Sequence, residues 1–240
     1  MIKLIFKTIN IQLLSFLRIK QAVFWSLVFP LFIFVIFSSI FGTFTNKEYT
    51  YFLLTGVIGM SIASDGLFAI GTTIKTYYNN GTIRILKKMP INILYYFTGI
   101  IIYRFIISFA LVICLDITSV VLFSCSLMFT DIIGITLGIL IGLWIFSFLG
   151  LCLTFSDIKI SSSDKGLLNL VYFLVLFTSN SLYPVSSFNE KIANLANFLP
   201  LNPVLSLLRS ETIMFYHLAF WAIIPIILFY FLYKRLKVVR

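Results

Sequence analysis

Three ionisable side chains lie inside otherwise apolar stretches of this chain: Asp65, Arg104 and Asp116. A charge at membrane depth is costly, so such residues mark either a polar pathway or a structural pair. Asp65 stands ten residues before Lys75, and Arg104 ten residues after Leu94. At about 1.5 Å per residue both fall about 15 Å along their helices from the same end. The spacing predicts a buried Asp65–Arg104 pair; the rival is an Arg104 that snorkels beside a neutral Asp65. Asp116 comes twelve residues after Arg104, about 18 Å along the helix and about 120° round it, too far to pair with it. With Thr118 and Ser119 beside it, Asp116 suits either a substrate path or a hydrogen bond to a neighbouring helix.

Other chemistries lack their residues. His217 is the sole histidine, which excludes a multi-histidine metal site or a histidine proton relay. No Ser-His-Asp triad or pair of glutamates at catalytic spacing is recognisable, so no catalytic residue is assigned and an enzyme acting on lipids is disfavoured. A phosphate-cradling G-x-x-x-x-G-K-[ST] run is absent, so any ATP must be bound by another chain. Cys114, Cys125 and Cys152 fall in apolar runs, odd in number and without metal-ligand spacing, and are expected to be buried thiols.

The elements that must hold these groups follow from composition. Sixty per cent of the 240 residues are apolar and 11% charged, against about 25% charged in a soluble domain; mean hydropathy is +1.07. Such a chain cannot cover a water-facing surface, whereas lipid needs no such covering. The net charge of +10 is spread in clusters between the apolar runs, which is a topology signal and not a nucleic-acid patch. The expected fold is an all-α integral membrane protein, one transmembrane domain over residues 1–240. Six transmembrane helices are expected at roughly residues 22–43, 51–74, 94–125, 132–155, 167–184 and 215–233.

Residues 1–20 do not read as a cleaved signal peptide, because Lys3, Lys7, Arg18 and Lys20 interrupt any apolar core. Ile5, Phe6, Ile9, Leu13, Phe16 and Leu17 share one side of a helix, opposite Lys3, Lys7, Asn10 and Arg18, with Leu4, Ile11 and Leu14 breaking the pattern. An amphipathic helix on the membrane surface is expected. Lys and Arg in the N-terminus, the second-to-third loop, the fourth-to-fifth loop and the tail number fourteen; the opposite loops hold three, Lys47, Lys191 and Arg209. The asymmetry places both termini in the cytoplasm.

Two connections are longer than turns. In the cytoplasmic loop, residues 75–93, Asn79-Asn80-Gly81 reads as a turn, Thr82 as a helix cap and Pro90 as a stop, leaving a short basic amphipathic helix that carries Arg84, Lys87 and Lys88. The external segment, 184–214, has Phe188, Ile192, Leu195 and Leu199 at helical spacing, followed by Pro200 and Pro203. Its apolarity predicts a re-entrant segment at the outer interface. Gly134, Gly138 and Gly142 in the fourth run, and Gly56, Gly59, Ala63 and Gly66 in the second, permit close helix approach, expected within one chain. Pro30 and Pro225 lie inside spans and are read as kinks.

The order of features resembles the membrane subunits of type 2 ATP-binding cassette (ABC) exporters, a bacterial permease family, over nearly the whole chain. The likeness is carried by Tyr51-Phe52-Leu53-Leu54-Thr55-Gly56 at the second span and by Asn80-Gly81-Thr82-Ile83-Arg84-Ile85-Leu86-Lys87-Lys88-Met89-Pro90 in the cytoplasmic loop. It continues in Leu182-Tyr183-Pro184-Val185, Leu199-Pro200-Leu201-Asn202-Pro203 and Leu207-Leu208-Arg209 before the last span. Asn80, where the family often has glutamate, and Ile100, where lysine is common, depart from its pattern.

The resemblance implies a multi-pass permease of the bacterial cell (inner) membrane, surrounded by lipid, paired with a second and identical permease chain and with cytoplasmic ABC ATPase subunits that bind the ATP and Mg. This chain itself would hold no cofactor. Gly81, Thr82, Arg84, Lys87 and Lys88 would form the coupling helix that docks on the ATPase, framed by residues 2–19. The implied substrate is amphiphilic, a drug, antimicrobial peptide or lipid ahead of a polysaccharide. The alternative is an ion channel or ion-coupled secondary transporter using Asp65, Arg104 and Asp116.

Overall fold

The computed structural model describes residues 2–41, 47–82, 85, 88, 93–125, 127, 129–156, 163–185, 194, 196–212 and 215–235. Among these residues the structure is helix and turn without a strand, as expected of a chain whose backbone groups must be satisfied inside each segment. Helix α1 is Ile2–Arg18, and α2 runs through Lys20–Phe41 with a π-helical stretch at Phe24–Val28. Helix α3 joins Lys47–Ser64, a second π-helical stretch Asp65–Gly71, and Thr72–Asn79. Then come α4, Ile93–Phe123; α5, Phe129–Ser156; α6, Ser163–Thr178; α7, Leu201–Leu208; and α8, Phe215–Arg235.

Among the described residues five helices, α2, α3, α4, α5 and α8, are long and apolar enough to cross a membrane. The stretch expected as a fifth span at 167–184 is a shorter apolar helix, the 16-residue α6, followed by turns at 179–183. At about 1.5 Å per residue the described helix is about 24 Å long, against about 30 Å for a hydrocarbon core. Segment 184–214 is described only in part. Phe188, Ile192 and Leu195 lie outside the described residues, while an unforeseen helix, α7, begins just after Pro200 and carries Pro203 in its first turn. Proline is well tolerated there because the first N–H groups have no helical acceptor to lose.

Helix α3 is the hub. Its Leu53, Leu54, Val57, Ile58, Ile62, Leu67 and Ile70 are buried against Phe34 of α2, Leu111 and Leu115 of α4, Ile139 and Phe146 of α5, and Leu205 and Leu208 of α7. In lipid such association rests on close packing, and small residues set it. A Cβ on Gly66 would come within 2.4 Å of Phe146 Cβ, and one on Gly71 within 2.8 Å of the Gly150 carbonyl carbon, so α3 and α5 touch nearly backbone to backbone.

The apolar side of α1 is divided. Phe16 packs on Ile100, Tyr103 and Ile107 of α4, whereas Phe6 and Leu17 face outward. The docked half is admitted by Gly99, where a Cβ would stand 2.8 Å from Thr8 Cβ. Gly99→Leu is expected to weaken this docking by about 1–3 kcal/mol. Hydrogen exchange should quicken over residues 5–18 with little change over 53–63; unaltered exchange in α1 would mean the contact does not hold it.

Candidate functional site

The structure brings Asp65 and Arg104 together, Arg104 Nη1 to Asp65 Oδ1 at 3.2 Å, with both side chains buried. Ser108 Oγ donates to Asp65 Oδ2 at 3.3 Å, and Ser26 Oγ to Oδ1 at 3.5 Å. Behind the pair the guanidinium lies over two rings, 4.8 Å from the Tyr103 centroid and 5.5 Å from that of Phe16. Arg104 therefore links α1, through Phe16, to the carboxylate of α3.

Both π-helical stretches meet at this point. The Pro30 ring opposes the carbonyl of residue 26 in a regular helix, and the widened turn Phe24–Val28 contains that residue, Ser26. The second stretch starts at Asp65 itself. Insertions of this kind inside α-helices are frequent at functional sites because they re-aim side chains locally.

Asp65 also forms part of the wall of a cavity of about 700 Å³ between α2, α3 and α6. Its lining is aromatic, with Trp25, Phe29, Phe68, Tyr172, Phe173 and Phe177, and its polar groups are Ser26, Ser61, Ser64, Asp65 and Asn169. Trp25, Phe173 and Phe177 are each about half exposed, at 55, 50 and 53%, so the cavity opens on the flank of the bundle. A second cavity of about 600 Å³, between α5 and α8, is nearly without polar groups. Its Trp144 indole is directed to the Ala222 carbonyl at 3.4 Å, and the Ser147 hydroxyl donates to the Leu143 carbonyl.

Asp116 stands apart from the pair. Its Oδ1 accepts the Leu127 N–H at 3.0 Å, so it holds the connection after α4 rather than a neighbouring helix. The three packing glycines of α5 face inward within the chain. A Cβ would meet the Leu207 carbonyl oxygen at 2.6 Å from Gly134, Leu208 Cδ2 at 2.6 Å from Gly138 and Ile62 Cγ2 at 2.7 Å from Gly142. The cysteines are not disulfide-bonded, and against expectation Cys114 is exposed, on the outward face of α4; Cys125 is buried and Cys152 partly so.

Gly81 ends α3 at φ +70°, the left-handed conformation that suits glycine after a helix, with its N–H on the Tyr78 carbonyl at 3.3 Å. Thr82 is helical, and Lys88, also helical, is exposed; Arg84 and Lys87 lie outside the described residues. Close by, Gln12 Nε2 of α1 donates to Tyr77 Oη at 3.0 Å and to Tyr96 Oη at 3.4 Å, tying α1 to the end of α3 and the start of α4.

Arg209, which the sequence offered as a loop charge and as the end of the Leu207-Leu208-Arg209 run, is a latch at the opposite end. Nε donates to Thr55 Oγ1 at 3.1 Å, and Nη2 donates to the carbonyls of Asn180 at 2.7 Å and Phe52 at 3.3 Å. The guanidinium lies 4.0 Å from the Phe52 ring centroid. Burial pushes it down to about 10, so it stays charged at neutral pH. A lone base beside Leu207-Leu208, with Asn180 and Asn202 elsewhere in apolar sequence, was the available signal. No protein-family model matches the chain, and no curated protein matches it.

Proposed function

We propose that the chain is the transmembrane subunit of an ATP-driven ABC exporter of a bacterial cell membrane, moving an amphiphilic substrate. In this reading ATP and Mg are bound by a separate cytoplasmic ATPase, a second, identical permease chain completes the pathway, and both termini are cytoplasmic. Helix α6 with the turn after it serves as the fifth of six spans, and α7 as the external re-entrant segment.

The observation that carries the proposal is the joint formed by α1, the end of α3 and the start of α4. Gln12, Tyr77 and Tyr96 are bonded there, immediately before the Asn80–Gly81 turn. A force applied at the basic segment after that turn reaches three elements at once and moves them as a body. Phe16 and Arg104 continue the path to Asp65, which faces the flank cavity. That cavity, aromatic with few polar groups, suits an amphiphile entering from the bilayer. The ion-pathway alternative draws less support, since Asp65 is engaged by Arg104 and Asp116 by the Leu127 N–H.

Co-purification tests the proposal. A tightly held ATPase is expected, with substrate-stimulated hydrolysis reduced at least about tenfold when Arg84, Lys87 and Lys88 are replaced together by alanine while the chain stays in the membrane. A stable assembly that lacks an ATPase and conducts ions in liposomes would overturn it.

A further inference from the structure

We infer that the cavity between α2, α3 and α6 selects lipophilic organic cations, molecules with an aromatic or acyl body and a quaternary or protonated cationic centre, and that Asp65 is the selecting group. This rests on the proposal that the cavity is the substrate site, and it narrows the substrate class.

The charge pattern around the cavity is asymmetric. Among the described residues of its lining Asp65 is the one charged group, and no Lys, Arg or His is among them. Arg104, the partner of Asp65, lies outside the lining and is held from behind by the rings of Tyr103 and Phe16. The pair is therefore a fixed dipole with its negative end toward the cavity. In a low-dielectric site an oriented dipole favours one sign of charge near its exposed end. The walls act in the same sense. Seven aromatic side chains surround the space, Phe37 with the six named above, and ring faces attract cations and repel anions. Ser26 and Ser108 donate to Asp65, which keeps the carboxylate in place if Arg104 yields part of its contact to an incoming cation. Among the described lining residues an anionic lipid or polymer meets no cation.

Tetraphenylphosphonium and tetraphenylborate, near-identical in shape and opposite in charge, separate this from simple apolar binding. The full-length chain in nanodiscs, measured against empty nanodiscs, is expected to bind the phosphonium saturably and to show no saturable site for the borate. Asp65→Asn/Arg104→Gln, which leaves no unpaired charge, should weaken phosphonium binding about tenfold or more. Phe173→Leu, on an exposed rim residue, should weaken it several-fold, by roughly the scale of one lost cation–ring contact, without lowering the melting temperature. Saturable borate binding of equal strength overturns the inference even if every variant fails to fold, and so does undiminished phosphonium binding by a folded double variant. Selective phosphonium binding without ATP-driven movement upholds the selectivity and ends the exporter reading; ATP-driven movement of both ions alike does the reverse.

Discussion

Arg104→Met is expected to destabilise the folded chain by about 3–5 kcal/mol, the scale for removing one partner of a buried ion pair. Three losses coincide. Asp65 keeps only the hydroxyls of Ser26 and Ser108, the cation contacts to Tyr103 and Phe16 disappear, and α1 loses a polar anchor to α4. Asp65→Asn/Arg104→Met should recover at least half of the deficit, because an amide with two hydroxyl neighbours leaves no buried charge. A double-mutant cycle on unfolding in mixed micelles measures this, with a coupling energy above about 1 kcal/mol expected. Additive single effects would show that the two groups contact without stabilising each other.

The pair was legible because depth along a helix is arithmetic. Asp65 and Arg104 stand equally far from the loop that joins their helices, and two hairpin-connected helices bring equal depths together. The Asn80–Gly81 turn was legible for a similar local reason, since glycine after a polar run marks a left-handed helix end. Partners set by packing were not. Nothing in the composition of residues 201–208 tells whether Pro203 stops a helix or starts one; the answer depends on Leu201, Val204, Leu205 and Leu208 burying themselves among α3 and α5. Likewise the amphipathic pattern of α1 could not say that half of it docks on α4, because lipid and a neighbouring helix offer equally apolar surfaces.

The two π-helical stretches show a further limit. Pro30 announced a disturbance in α2, but its form, a widened turn that re-aims Ser26 at Asp65, depends on a residue of another helix. In α3 no proline is present, and the stretch Asp65–Gly71 coincides with the tightest approach to α5, at Gly66 and Gly71. Cavity residues such as Asn169 and Tyr172 escaped notice because a single polar or aromatic residue in a span carries no period.

Gly56→Ala is expected to cost more than about 3 kcal/mol, beyond the usual range for one added methyl, because the obstruction is backbone. A Cβ there would lie 1.7 Å from the Ser181 carbonyl oxygen and 2.7 Å from its carbon. That turn cannot retreat cheaply. Ser181 Oγ donates to the Leu176 carbonyl at 2.9 Å, the neighbouring Asn180 N–H donates to Asn202 Oδ1 at 3.0 Å, and Arg209 grips the Asn180 carbonyl. Gly138→Ala supplies the contrast, since its Cβ would meet Leu208 Cδ2, the movable end of a side chain, at 2.6 Å. A rotamer change there should limit the loss to about 1.5 kcal/mol. Melting temperatures of the two variants should therefore separate clearly, and equal shifts would show that the turn at Ser181 is softer than its bonds imply. Because Leu176 and Leu182 flank that turn and line the flank cavity, Gly56→Ala should also lose phosphonium binding, whereas Gly138→Ala, at the α5–α7 contact, should keep it.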